Sequence, residues 1–347
     1  MKKQTVLTAT GLIAAIFLIP YALVSLIGHP LVLAAQAKKA PLPTRAPGQD
    51  ALTALQTGPS IKVYMTETGA VQTMPLELYV ARVVAGEMPV GFAASALEAQ
   101  AICARTNAVR AIYNRLPSTL PEAAAAGAQI TDDYHYDQAY SSQTALQREW
   151  AGNYAQNWQK IAQAVATTKS QILTYQGQPI DAFFFSTSDG YTQSATDYWG
   201  KSIPYLQAVA SPWDASAPHY KSTQVISVNT LWDKLHINAV PTMSGNAGIG
   251  VRILDESTSH HVTKVQAGDN VMSGKDFRLA LGLASTDFTM QREGDNVVFQ
   301  LVGYGHGVGM SQYGAEGLAK SGKTADQIVT YYYHDVNIAS VASFVQN

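Results

Sequence analysis

Glu87 is flanked by Gly86 and by Met88-Pro89, a setting in which a helix stops and a carboxyl group meets unpaired carbonyls and apolar neighbours. Both surroundings disfavour a negative charge. A carboxyl kept protonated towards neutral pH can donate its proton to a leaving group. An Arg105 partner would pull the other way, and an ordinary surface Glu at a helix end is the competing reading. A second polar cluster, Ser186-Thr187-Ser188-Asp189-Gly190-Tyr191, offers hydroxyls, a carboxylate and an aromatic ring where a strand ends. Loops on rigid scaffolds carry many binding sites, and many are plain turns. In a third cluster, Gly303, Gly305, Gly307 and Gly309 alternate with other residues and lead into Met310-Ser311-Gln312-Tyr313-Gly314. Alternate positions of a strand share a face, and glycine leaves that face bare for a ligand or a second backbone. A bulged core strand running into a helix start is the alternative. No Gly-Lys-Ser/Thr follows, as a P-loop needs, and the spacing does not fit a Rossmann fingerprint.

Other chemistries find less support. His135, His219, His260, His261, His306 and His334 form no zinc pattern, and there are no paired cysteines. No Gly-x-Ser-x-Gly elbow is present. The single cysteine, Cys103, sits among Ala101, Ile102 and Ala104 and reads as a small core residue.

These residues need elements to hold them. Pro75 occupies a favoured first-turn position, and Leu76, Tyr79, Val80, Val83 and Val84 give the following helix an apolar stripe that Gly86 and Pro89 end. An alanine-rich helix over 95–113 carries Arg105 on the same face as Ile102, Val109 and Ile112, so the charge requires a partner. A surface excursion over 117–145 and a helix over 146–168 follow. Ile172–Tyr175 and Ile180–Phe185 form a hairpin around Gln176-Gly177-Gln178. From Gln224 on, short strands (225–228, 250–254, 262–266, 288–291, 297–301) mix with helices (229–236, 274–281, 310–321, 324–334). Long helices do not separate the strands regularly, so the fold class is α+β, not doubly wound. No internal repeat is present.

The 347 residues are 47% hydrophobic and 14% charged, with a net charge of -2. That is a globular protein without the basic patch that nucleic acid requires. Val6 to Ile27 is almost entirely apolar and long enough to cross a bilayer. Lys2 and Lys3 ahead of it place the N-terminus inside and the rest outside. Cleavage at Ala35-Gln36-Ala37 is the rival reading, but the apolar run is longer than a usual signal core. The expected layout is a cytoplasmic stub (1–5), a transmembrane anchor (6–27), a proline-bearing linker (28–59) and one extracytoplasmic domain (60–340).

Taken together, several segments resemble the SpoIID/LytB family. They are Gly86-Glu87-Met88-Pro89, Glu98-Ala99-Gln100-Ala101, Ala104-Arg105-Thr106, Phe184 to Thr192, Tyr198-Trp199-Gly200 and Gly305 to Gly314. They occur in the family's order, cover most of 60–340, and are specific as a set. The resemblance implies a membrane-anchored lytic transglycosylase, without cofactor, whose mixed helices and short strands form a glycan-binding cleft. Its substrate would be the MurNAc–GlcNAc bond of peptidoglycan strands stripped of stem peptides, at the sporulation septum during engulfment. The family's catalytic acid falls on Glu87. Stage II sporulation protein P, an amidase that strips the peptides, and stage II sporulation protein M, a membrane protein, are implied partners. Some relatives bind zinc in the segment matching Asp132 to Ser142; here His135 is present but no cysteine, so no metal is expected.

On this reading Ser186, Thr187 and Ser188 hydrogen-bond the sugar, and Tyr191, Trp199 and Tyr313 are stacking surfaces. Gly305, Gly307 and Gly309 let the strand pass close. Gln100, Arg105, His306, Ser311 and Gln312 complete the substrate-binding set. Two rivals stay open. Relatives were named as amidase enhancers, so the chain is alternatively a non-catalytic glycan-binding activator of an amidase. Or it is a hydrolase using water and a second carboxylate such as Asp189.

Overall fold

A computed structural model describes residues 50–114, 116–237 and 248–345. The expected anchor (6–27) and most of the linker lie outside these residues. Among the described residues no helix is long and apolar enough to cross a membrane.

The described chain is α+β. A hairpin of β1 (Ser60–Met65) and β2 (Ala70–Pro75) leads into α1 (Leu76–Glu87), with Pro75 as its N-cap and Met88 extended beyond its end. Then α2 (Ala94–Tyr113) runs through the centre of the larger core, with Ala96, Ala99, Ala101, Ala104 and Ala108 fully buried. Alanine suits such a helix because neighbours can close in on several sides. β3 (Ile130–Thr131) joins β1 in parallel.

The expected helix over 146–168 is broken. Gln143–Trp150 ends at Ala151, which adopts φ +43°, and α3 (Tyr154–Thr167) resumes after a 3₁₀ turn. α3 packs on both α1 and α2. The expected hairpin is half right. β4 (Gln171–Tyr175) pairs with a two-residue β5 (Gln178–Pro179), the positive φ of Gln176 and Gly177 making the turn. Past Pro179 the ladder stops, and β6 (Phe184–Phe185) pairs instead with β13 (Met310–Ser311), far along the chain. The short α4 (Ala195–Trp199) follows β6.

Residues 221–302 close a second hydrophobic core within the expected single domain. β7 (Lys221–Ser227), α5 (Val228–Leu235), β8 (Val251–Glu256), β9 (Val262–Ala267), β10 (Asn270–Ser273), α6 (Gly274–Leu281), β11 (Asp287–Glu293) and β12 (Asn296–Val302) form it. Two three-stranded sheets, ordered β11-β12-β7 and β10-β9-β8, enclose Leu231, Val265, Phe277, Phe288 and Phe299. The chain then returns to the first core through β13, α7 (Gln312–Lys320), α8 (Ala325–Tyr332) and β14 (Asn337–Ser340), which pairs with β4.

The alternating glycines are not a bare-faced strand. Gly303, Gly305, Gly307 and Gly309 all take positive φ, between 80° and 120°, so the segment is a loop that only glycine enters without strain at each second position. Gly309 also lets two backbones meet, since an added Cβ would lie 2.0 Å from the Phe183 carbonyl oxygen. Gly309→Ala is therefore expected to destabilise the fold by at least about 2 kcal/mol, from left-handed strain plus the clash. Urea unfolding of the variant checks this; an unchanged midpoint would contradict it.

Candidate functional site

Glu87 is the last residue of α1, and its carboxyl is held by two donors from distant parts of the chain. The Ala139 N–H donates to Oε1 at 2.7 Å, and the Gln312 side-chain amide donates to Oε2 at 3.1 Å. Burial raises the Glu87 pKa, and these two hydrogen bonds offset only part of the rise. Arg105 does not oppose it, because its guanidinium is committed to Glu77 at 2.7 Å. Gly86 serves this arrangement: a Cβ there would lie 3.2 Å from the Ala139 carbonyl and the Ser141 nitrogen, so its absence lets the loop approach the helix end.

Glu87 lines a cavity of about 720 Å³, within the range of small-molecule sites. His306, Phe183 and Phe184 share the lining, as do the segment Tyr134 to Ala139 and the pair Arg110–Asp181. His306 is a neutral wall residue. Its Nε2–H donates to the Phe184 carbonyl at 3.0 Å, its Nδ1 accepts from the Val308 N–H at 3.1 Å, and burial pushes its pKa down to about 4. Two more carboxyl groups line the cavity. Asp137 is pushed up to about 6 by burial while accepting from the Thr131 N–H at 2.8 Å. Asp181 is raised by burial and opposed by Arg110, 2.8 Å away. His135 lies beside Asp133 at 2.7 Å, and among the described residues no group of three or more His, Cys, Asp or Glu is placed to hold a metal ion. Cys103 is buried 3.5 Å from the Tyr333 hydroxyl, and burial pushes its thiol up to about 12, so it is no nucleophile.

Of the residues expected to touch substrate, His306 and Gln312 stand with Glu87. The others take different places. Gln100 and Arg105 are fully buried in α2 and reach no cavity surface. Thr187, Ser188 and Ser311 are also buried, and Ser188 and Ser311 meet a buried residue that carries no motif, Asp214. Asp214 accepts from the Ser188 N–H at 2.9 Å, from the Ser211 hydroxyl at 2.6 Å and from the Ser311 hydroxyl. Ser311 is the N-cap of α7, and the Ser186 carbonyl accepts from the Tyr313 N–H at 3.1 Å. The Ser311 cap and the Ser186 carbonyl thus fix the start of α7, whose first residue is Gln312. Gly305 and Gly307 likewise pack on protein, with added Cβ atoms 2.8 Å from Phe185 and 3.3 Å from Gln193. Tyr313 meets Phe92 edge-on at 5.1 Å. Tyr191 is half-exposed and Trp199 half-buried, and neither lines the Glu87 cavity.

Asp189 is also elsewhere. It lies against His261, 3.6 Å away, and feels the charge of Asp287 on β11. Burial, reinforced by Asp287, pushes its pKa up to about 7. A hydrolase using Asp189 beside Glu87 has no support in this geometry; Asp137 and Asp181 are the acids that share the cavity.

Gln312→Leu removes one donor to the Glu87 carboxylate. The expected result is a Glu87 pKa raised further above its ordinary value, read as an NMR titration profile of the carboxyl group displaced to higher pH. A profile unchanged in position would contradict the contact's role.

A SpoIID family model, described as stage II sporulation protein, matches residues 64–175. The chain is 39% identical over 345 residues to stage II sporulation protein D of Bacillus subtilis (strain 168), covering 99% of this chain and 98% of that one. It is also 39% identical to stage II sporulation protein D of Bacillus amyloliquefaciens over 354 residues, with the same coverage. An amidase enhancer of Bacillus subtilis (strain 168) is 25% identical over 309 residues, 74% of this chain and 40% of that protein. With such identity sustained along almost its whole length, the chain belongs to the SpoIID family of sporulation proteins.

Proposed function

We propose that the chain is a lytic transglycosylase acting on peptidoglycan strands stripped of their stem peptides, with Glu87 as the single general acid and base. The observation that carries this is a carboxyl group with a burial-raised pKa lining a cavity of sugar-binding size. Protonated Glu87 gives its hydrogen to the bridging oxygen between MurNAc and GlcNAc, and the MurNAc C1–O bond breaks. The carboxylate then accepts the proton of the same MurNAc's 6-hydroxyl as that oxygen bonds to C1. Glu87 is thereby restored, the strand carries a 1,6-anhydro end, and no water is consumed. Ordinary glycosidases need two carboxyls. Here the tethered hydroxyl replaces the bound water, so proximity does the work of the second acid.

The same reading places the protein outside the membrane at the sporulation septum, anchored through residues 6–27, with its substrate supplied by an amidase. Stage II sporulation proteins P and M are its expected partners there. The amidase enhancer among its relatives favours a second reading, in which the cavity only holds glycan and the chain activates an amidase. Incubating the purified chain with stripped strands, without amidase, separates the two. The enzyme reading expects shortened strands; intact strands that nonetheless bind the protein would select the activator.

A further inference from the structure

A second cavity, of about 650 Å³, lies between α4 of the first core and the β8–β10 sheet of the second. Trp199 lines it from the first core and Val271 from the second, the latter 55% exposed on β10. The Trp199 ring also packs against Phe183 at 4.8 Å and His306 at 6.5 Å, two residues of the Glu87 cavity. One aromatic wall therefore stands between the two cavities. Resting on the glycan reading above, we propose that this second cavity is a distal subsite for the same strand, taking a neutral N-acetylhexosamine unit.

Its chemistry suits a sugar. Trp199 and Val271 offer apolar surface to the C–H face of a pyranose ring, and carboxylates are acceptors for its hydroxyls. Charge narrows the choice further. Asp197, Asp255, Glu256 and Asp276 outnumber Lys264 and Lys275, so the lining is net negative and disfavours an anion. In a stripped strand every MurNAc carries a free lactyl carboxylate and every GlcNAc is neutral. The subsite accordingly selects GlcNAc and turns the neighbouring lactyl groups towards solvent. Strand register, and hence which bond reaches Glu87, is then set partly by the second core. It also follows that longer strands bind better, by occupying both cavities.

Binding of N-acetylglucosamine oligomers to the full chain, measured by calorimetry, tests this. The wild type is expected to bind the hexamer at least tenfold more tightly than the trimer. The double variant Glu256→Ala/Val271→Asp, altered only at exposed sheet positions, should bind the hexamer no better than the trimer and leave the trimer within twofold of wild type. Hexamer affinity unchanged by the variant overturns the subsite while leaving the Glu87 cavity as a glycan site. Equal wild-type affinity for trimer and hexamer does the same. A wild type that binds neither oligomer overturns the glycan reading itself, and the subsite with it.

Discussion

Glu87→Gln is expected to lower cleavage of stripped strands by about 10²–10⁴-fold, the usual share of a positioned general acid. The amide keeps the shape of the side chain. Its oxygen still accepts from the Ala139 N–H, and the Gln312 amide can turn its own oxygen to the new NH₂ group. Strand binding in a pull-down should therefore persist. The variant should also be more stable near neutral pH. Because the folded-state pKa of Glu87 lies above the ordinary value of 4.5, the native state holds this proton more tightly than the unfolded chain. Stability contributed in this way is present in acid and declines as pH rises through the folded-state pKa. Gln has no proton to lose, so its Tm advantage should appear at neutral pH and disappear in acid. A variant with wild-type cleavage, or one less stable than wild type at pH 7, would remove Glu87 from its assigned role.

Arg105→Met is expected to cost about 3–5 kcal/mol, the penalty for stripping one partner from a buried ion pair. Arg105 has no exposed surface. It donates to Glu77 through Nε at 3.0 Å and Nη2 at 2.7 Å, to the Gln171 carbonyl at 3.1 Å and to the Val165 carbonyl at 3.2 Å. One side chain thus ties α1 and α2 to the end of α3 and the start of β4. Without it, the Glu77 carboxylate stays buried among apolar neighbours. Differential scanning calorimetry should show a Tm lower by on the order of 10 °C. Adding Glu77→Leu should recover most of the loss, since an apolar pair of similar volume is often no worse than a buried salt bridge. At a temperature where both proteins are folded, KM for glycan should match the wild type. A KM rise without loss of stability would instead return Arg105 to the substrate.

Much of this was legible from residue types. The apolar stripe of α1, the stop at Gly86 and Pro89, and the requirement that Arg105 find a partner all follow from local rules, and each is met in the structure. The strands and helices of 221–302 other than β10 could be placed within a few residues because their patterns are short-range. That they close a core of their own could not, since nothing local shows that Phe277 stacks on Phe288 and not on the alanine helix. The glycine run was misread for a related reason. Alternation looks the same for a bare strand face and for a loop of left-handed turns, and only the backbone angles separate them. Ser188 and Ser311 resembled ligand contacts, yet the Ser188 N–H and the Ser311 hydroxyl both donate to Asp214, far from Ser188 and Ser311 along the chain and with no motif to mark it beyond a Pro-Trp-Asp turn. That Gln312 donates to Glu87, across 225 residues, carried no local signal either.

In the proposed mechanism a hydroxyl of the substrate, rather than water, completes the reaction that Glu87 begins. The cavity nevertheless holds Asp137 and Asp181, either of which a hydrolase would use to activate water. Digestion of stripped strands in ¹⁸O-labelled water, followed by mass spectrometry of the new ends, distinguishes the two directly. The expected product is a 1,6-anhydro end carrying no label; reducing ends that carry ¹⁸O would contradict the claim.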